Sequence, residues 1–293
     1  MAGYNVNALP AYVEQHKSEL IGQTVLGPSV TQYFDLWTGI KGNTTINVLD
    51  IDETSLVQCG ASCGWNDGGE AVLSQREIKP GIFKINMSIC DKNLLNKYAG
   101  YLVKVEAGKL DSDLPFEKEL TDEVIKSVKK VMQSKIWNAK VDTDCGMQGL
   151  LAIDDITSVE KPEGKTGVDA AVAAMVCASI KEGEIYLSCA DFFTYVQSLV
   201  NANLYHYNPG QALTDYEIFV PGTNYRVVLA DGLATGTVFA SASNNIVYGV
   251  NMENGEEQFD IWFSKDNREF RLAIEFVAGV QVKNPSLAFK TTF

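Results

Sequence analysis

LPFEKELTDEVIKSVKKVMQSKIWNA, residues 114–139, carries the strongest helical signal in a chain of 293 residues. Leu120, Val124, Val128, Val131 and Met132 recur at offsets near three and four, and Ile125, Ile136 and Trp137 widen that stripe. Glu117, Glu119, Asp122 and Glu123 come early, whereas Lys126, Lys129, Lys130 and Lys135 come late. The helix macrodipole favours that order, because acids sit near its positive end and lysines near its negative end. The pattern predicts a helix of about six turns. It is amphipathic, so the side opposite the stripe is exposed or covered by a partner.

Upstream of this helix the pattern is extended. Thr44–Asp52 is one β-rich run, and Val72–Lys79 followed by Gly81–Asn86 is a second, interrupted at Pro80-Gly81. Between them lies the glycine-dense stretch GASCGWNDGGE, residues 60–70. Neither run has a consistent apolar face, and the tip is too polar for a core. A long hairpin that projects from its parent domain fits, and such a hairpin is unstable unless a neighbour covers it. The first 36 residues are thinly hydrophobic. A short helix from Ala8 places Tyr12, Val13, His16 and Leu20 on one side before Gly27-Pro28 breaks it. So narrow an apolar face predicts an arm that docks weakly on its own.

Downstream, a block with its own core is expected from about Gly149. Thr166 caps a small-residue helix, VDAAVAAMVCASI. Ile185–Leu187 is a short strand, and Ser188 or Asp191 opens a helix with Phe192, Tyr195, Val196 and Leu199 on one face. Strands follow at 216–220, 225–230 and 237–240. The last 50 or so residues are again strands, at 246–250, 259–263 and 270–276. The fold class read from this order is α+β.

Acidic residues outnumber basic ones by 37 to 24, a net charge of −13. That disfavours a dedicated nucleic-acid binder, which needs a basic footprint, although a local basic patch remains compatible. The N-terminus lacks the basic start and apolar run of a signal peptide. No stretch approaches the ~18 apolar residues of a membrane-spanning helix. Six cysteines are too few for a disulfide framework in a chain of this length, and a reducing cytoplasm is the simplest compartment.

Several motifs suggest chemistry. Gly60-Ala61-Ser62-Cys63-Gly64 matches the nucleophile-elbow pattern, but WNDGGE is a poor helix start, and a base would have to be His16 or His206. Cys59, Cys63, Cys90 and Cys145 lack the two tight pairs of a structural zinc site. Cys177 and Cys189 lie on apolar elements, where free cysteine behaves as a small hydrophobe. The acidic clusters Asp50/Asp52/Glu53, Asp142/Asp144 and Asp154/Asp155 have no calcium-loop spacing and no nearby histidine, and read as solvated edges. Gly232-Leu233-Ala234-Thr235-Gly236 precedes no helix with a lysine, which excludes a P-loop. Tyr205-His206-Tyr207 reads as packing or interface. No nucleophile, base and orienting group come together, so no enzyme, metal or cofactor is expected.

The order of these elements resembles the major capsid proteins of tailed bacteriophages, the Hong-Kong-97 fold, and in particular the short type found in phages of Bacteroidetes. The resemblance is carried by NALPAYVEQHKSELIG with VLGPSV, the helix at 114–139 with GLLAIDD after it, NANLYHYNPG, IFVPGTNYRVVLADGL and FDIWFSKDNREFRLAIEFVAGVQVKNPSLA. It implies an N-terminal arm at 1–36, an extended loop with flanking strands at 37–90, and a peripheral domain with its spine helix at 91–148. An axial domain at 149–240 and completing strands of the peripheral sheet at 241–293 follow. The implied function is self-assembly into pentamers and hexamers of an icosahedral shell around packaged double-stranded DNA, within a virion assembled in the bacterial cytoplasm. Separate scaffolding, portal and decoration proteins are compatible partners, and no membrane is involved. No scaffolding segment precedes the arm, so scaffolding would come from another chain or a removed piece. Assembly contacts are expected at Tyr12, Val13, Trp65, Asn66, Tyr205, His206 and Tyr207. The rivals are an encapsulin-type compartment, which shares the fold, and a serine hydrolase using Ser62.

Overall fold

The computed structural model describes residues 8–25, 29–51, 71–107, 116–202, 217–251 and 259–292. In chain order the elements are α1 (Ala8–Val25), β1 (Asp35–Thr38), β2 (Thr44–Ile51), β3 (Ala71–Ile78), β4 (Gly81–Cys90), α2 (Asp91–Glu106) and α3 (Phe116–Asn138). They continue with β5 (Thr157–Ser158), α4 (Gly167–Cys177), β6 (Gly183–Leu187), α5 (Cys189–Asn201), β7 (Glu217–Phe219), β8 (Tyr225–Leu229) and β9 (Thr237–Ala242). The last four are β10 (Ile246–Asn251), β11 (Phe259–Ser264), β12 (Glu269–Val282) and β13 (Ala288–Thr292). The architecture is α+β, with two sheets and a separate hairpin.

Strand β12 organises the first sheet. Along one edge it pairs antiparallel with β4, from Glu269↔Cys90 to Ala278↔Gly81. Along the other it pairs first with β11 and then with β10, and β1 adds parallel to β10. Its alternation is clean, with Phe270, Leu272, Ile274 and Phe276 all buried on one face. Helices α3 and α1 close this core, α1 lying on both α3 and β11.

The buried face of α3 is turned from the sequence stripe. Ile125, Val128, Met132 and Ile136 are buried and Leu120 and Val124 half-buried, but Val131 is 55% exposed. Helix α1 packs on α3, and Ile125 and Met132 join the same core as Leu9, Val13 and Leu20 of α1, whereas Val131 lies off that face. Helix α1 itself docks better than its composition suggests. Leu9, Val13, Leu20 and Thr24 are buried, and the Thr24 hydroxyl donates to the Leu20 carbonyl at 2.7 Å, so a threonine completes the buried face.

The second sheet runs β5-β13-β9-β6-β8-β7. One face, with Ile185, Leu187, Val227, Val238 and Ala240, packs in a core with residues of α4 and α5. Both helices are capped: Thr166 and Asp169 form a capping box at α4, and the Ser188 hydroxyl accepts from the Asp191 N–H at α5. The opposite face presents Tyr186, Val228 and Phe239 to the main core. There the fully buried Trp137, at the end of α3, lies 5.1 Å from Tyr186, 5.6 Å from Phe239 and 6.4 Å from Phe34, measured between ring centroids. This aromatic cluster joins the two sheets.

Two features depart from the sequence reading. Strands β10, β11 and β12 lie in the first sheet, but β13 crosses to the second, pairing with β9 and β5. Its Phe289 belongs to the α4–α5 core, which supplies the reason for the crossing. Helix α2 fills a stretch that carried no assigned element.

Candidate assembly surfaces

The hairpin is formed by β2 and β3 in antiparallel register from Thr44↔Ile78 to Ile51↔Ala71. Its root is fixed. Ile46 and Ile78 are buried with Ile40 and Val247, and Trp37 and Val48 pack against them. This apolar root was missing from the sequence reading because Ile40 and Val247 come from other elements. Two polar ties add to it: Gln281 Nε2 donates to the Glu77 carbonyl at 2.8 Å, and Arg76 Nη1 donates to Asp155 Oδ2 at 3.2 Å. The chain then turns at Lys79-Pro80 into β4. A Cβ on Gly279 would lie 2.8 Å from Pro80 Cα, so only glycine lets the corner lie this close to β12. Beyond the root the main packing partner of β2 is β3, with Gln75 Nε2 donating to Asn47 Oδ1 at 3.1 Å.

A second exposed surface lies outside the α4–α5 layer, where Val176, Phe193 and Val200 are about half exposed. Strand β7 forms one edge of that sheet, and its Phe219 is exposed with the Arg226 guanidinium 5.5 Å from the ring centroid. Behind it, Tyr33 donates to Glu217 Oε2 at 2.7 Å and Arg226 Nη1 lies 3.5 Å from the same carboxylate. Burial, helped by the hydrogen bond to Glu217, pushes the Tyr33 phenol up to about 12. Glu184, beside Arg226 in the β6–β8 register, is also raised by burial, although the Ser243 hydroxyl donates to it at 2.8 Å. These groups tie the segment after α1 to the edge of the second sheet.

The third surface is the outer face of α3. Lys126 and Lys130 are exposed and Lys129 half-buried, and among the described residues none of the three is in an ion pair. Lys135 differs, because it pairs with Asp144. Asp144 also accepts from the Lys140 N–H at 2.8 Å and the Thr143 hydroxyl at 3.1 Å, and with Lys135 these hold its carboxyl below the usual range.

Of the residues expected at assembly contacts, Tyr12 is half-buried on α1 with its ring 4.6 Å from that of His16, and Val13 is buried in the chain's own core. Trp65, Asn66, Tyr205, His206 and Tyr207 lie outside the described residues, as do Ser62, Cys59 and Cys63. His16 has its Nδ1 3.6 Å from Glu19. Cys90, Cys145, Cys177 and Cys189 are free thiols. Cys177 and Cys189 are exposed rather than packed as small hydrophobes, because both sit at helix ends outside the core. The described part of the Asp154/Asp155 cluster is engaged by Arg76, which sequence reasoning missed: the partners are 79 residues apart and carry no local signal. Among the described residues no three His, Cys, Asp or Glu side chains gather to hold a metal, and no helix is long and apolar enough to cross a membrane.

No protein-family model and no curated protein matches the sequence. Solved structures do. A protein of Mycobacterium phage Ogopogo superposes with a TM-score of 0.58 at 12% identity, over 90% of this chain and 91% of that one. The holo-SrpI encapsulin complex of Synechococcus elongatus PCC 7942 gives 0.57 at 10%, over 92% and 88%. The capsid of an empty GTA particle gives 0.56 at 10%, over 91% and 89%. The fold is of the Hong-Kong-97 capsid type. Within it, the projecting hairpin, the long helix and the second sheet with its two helices keep the expected order along the chain.

Proposed function

We propose that this chain is the major capsid protein of a tailed bacteriophage, of the short type found in phages of Bacteroidetes. It assembles through pentamers and hexamers into an icosahedral head that encloses double-stranded DNA, in the cytoplasm of the host. The observation that supports this most is the hairpin: its root is held by a buried cluster and two polar ties, while its outer strands pack mainly on each other. A two-stranded ribbon gains its remaining stability from a neighbour, and a shell supplies one at every position. Many weak contacts per subunit then add up to a stable container.

In this reading residues 1–36 form the N-terminal arm, 37–90 the extended loop with its strands, 91–148 the peripheral domain, 149–240 the axial domain and 241–293 the returning strands, of which β13 serves the second sheet. Trp65 and Asn66 at the hairpin tip and Tyr205, His206 and Tyr207 after α5 make intersubunit contacts. Tyr12 contributes a partly open ring, and Val13 fixes α1 beneath it. Scaffolding, portal and decoration proteins are the further partners.

The encapsulin-type compartment is the second reading, favoured by the SrpI superposition. Negative-stain imaging of the purified chain tests both: closed shells are expected, and a chain that remains monomeric at all concentrations refutes both. Native particles decide between them. A portal-bearing vertex and packaged DNA support the phage head, and a protein cargo inside a shell without a portal supports the compartment.

A further inference from the structure

A cavity of about 190 Å³ lies between the start of α4 and the helix α5. Its apolar lining comes from Leu187 and Val238, directly opposite each other on β6 and β9, with Val168 of α4 and Tyr195 of α5. All four side chains are buried. Lys161 and Lys165, both exposed, line it from the segment that leads into α4. The polar groups around this cavity are unevenly used. Asp191 Oδ2 already accepts from the Ser188 hydroxyl at 2.6 Å and the Gly236 N–H at 2.8 Å. Asp169 Oδ2, in the first turn of α4, accepts from the Thr166 N–H at 2.9 Å and the Thr166 hydroxyl at 2.8 Å. The Thr194 and Ser198 hydroxyls donate back to carbonyls of their own helix. Donors remain. Among the described residues the N–H groups of Gly167 and Val168, the first two of α4, have no acceptor, whereas the third, of Asp169, donates to Thr166 Oγ1. Tyr195 is 8% exposed, and among the described residues its hydroxyl has no hydrogen-bond partner. Its oxygen nonetheless keeps some accessible surface, in a side chain that lines the cavity. Burial, with the Asp169 charge nearby, pushes this phenol up to about 12, so it stays protonated and able to donate.

We propose that the cavity between α4 and α5 binds a small organic carboxylate whose apolar body is about the size of a benzene ring. This goes beyond the shell reading and does not rest on it. The unused donors select an anion: a ligand must bring its own acceptors to the Tyr195 hydroxyl and to the N-terminus of α4, where the helix dipole also favours negative charge. The two lysines add to the same field. The lining selects the rest of the molecule, because Val168, Leu187 and Val238 offer nothing to a second polar group. Size sets the limit. An apolar cavity of about 150 Å³ accepts benzene, so one of about 190 Å³ takes a single ring or an equivalent short aliphatic chain. The carboxylate lies at the α4 end, within reach of the tyrosine, and the ring covers the Leu187–Val238 pair.

The test is ligand binding to unassembled subunits of the full chain, with sodium phenylacetate as probe and phenylacetamide as its uncharged counterpart. Methyl-selective NMR reads the site directly, because Val168, Leu187 and Val238 all line the cavity. Phenylacetate is expected to shift these methyl signals with a dissociation constant of about 1 mM or lower. Phenylacetamide is expected to bind at least about tenfold more weakly, since it lacks the charge. Tyr195→Phe keeps the ring and removes the hydroxyl, and is expected to weaken phenylacetate about tenfold, with a smaller effect on the amide. Lys165→Glu, at an exposed position, is expected to weaken phenylacetate about threefold to fivefold. Thermal unfolding without ligand checks that each variant is folded. Absence of shifts at about 10 mM phenylacetate, far above the expected constant, overturns the proposal. Shifts confined to other methyl groups overturn it too, as does equal binding of acid and amide. Undiminished binding by both folded variants places the carboxylate elsewhere and refutes the site. None of these outcomes depends on whether the chain forms shells.

Discussion

Trp137 is the residue on which the joint between the two sheets depends, and replacing it separates packing from polar satisfaction. Its ring is fully buried against Phe34, Tyr186 and Phe239. Truncation of such a ring costs about 3–5 kcal/mol, from lost transfer energy plus the cavity left behind. Yet among the described residues Trp137 Nε1 is buried without an acceptor. An orphaned donor costs about 1–3 kcal/mol. Trp137→Phe removes that donor and keeps most of the ring contact, so the two changes oppose each other. We expect Trp137→Ala to lose about 3–5 kcal/mol and Trp137→Phe to stay within about 1 kcal/mol of the parent. The assay is urea unfolding of unassembled subunits, followed by circular dichroism. With a slope near 3 kcal/mol per molar urea, the alanine variant's midpoint falls by about 1 to 1.7 M. A fall below about 0.3 M for alanine refutes the aromatic joint. Equal losses for alanine and phenylalanine refute the role given to the orphaned N–H.

Three more outcomes follow from the same structure. Val128→Asp places an unpaired carboxylate in the core and is expected to cost about 3 kcal/mol or more; normal yield and melting temperature of that variant would show that α3 buries another face. Replacing residues 53–70 by Asn-Gly, which suits a two-residue hairpin turn, is expected to leave subunit melting nearly unchanged while abolishing closed shells in sedimentation, and unfolding of the monomer itself would place the tip in a core. Asp144 is held below its usual range by Lys135, the Lys140 N–H and the Thr143 hydroxyl, so its contribution is present above about pH 4, the unfolded value, and is lost as pH falls through the folded one. The melting-temperature gap between parent and Asp144→Asn is therefore expected to shrink on acidification; a gap constant from pH 7 to pH 3 contradicts the linkage.

The elements that sequence alone revealed are those whose stability is local. Helix α3 has its period and charge order, α4 and α5 have Thr166 and Ser188 as caps, and β12 has its alternation. The outcomes that escaped are set by partners distant in sequence. Val131 belongs to the apolar series of α3, but it lies off the face that packs in the core. The narrow face of α1 becomes a docked helix because α3 and β11 meet it, and β13 joins the second sheet because β9 and β5 border it. The hairpin was legible as a hairpin, but its anchorage was not, because Ile40, Val247, Asp155 and Gln281 are scattered along the chain. The lysines of α3 were visible as a macrodipole pattern, and only the folded chain shows that Lys135 pairs with Asp144.

The corner at Lys79-Pro80 also has a mechanical side. Tension applied to the hairpin enters β4 at Gly81, the first residue of a ladder of ten residue pairs with β12. Gly81 pairs with Ala278, which on its other side pairs with Val250 of β10. A pull therefore loads the first residue of β4, a strand that among the described residues pairs with β12 alone, at a point where β12 is held on its other flank by β10. The ties at Arg76 and Gln281 lie ahead of that point and are loaded before it. Pulled from outside, the chain loads these two side-chain hydrogen bonds before the β4–β12 ladder.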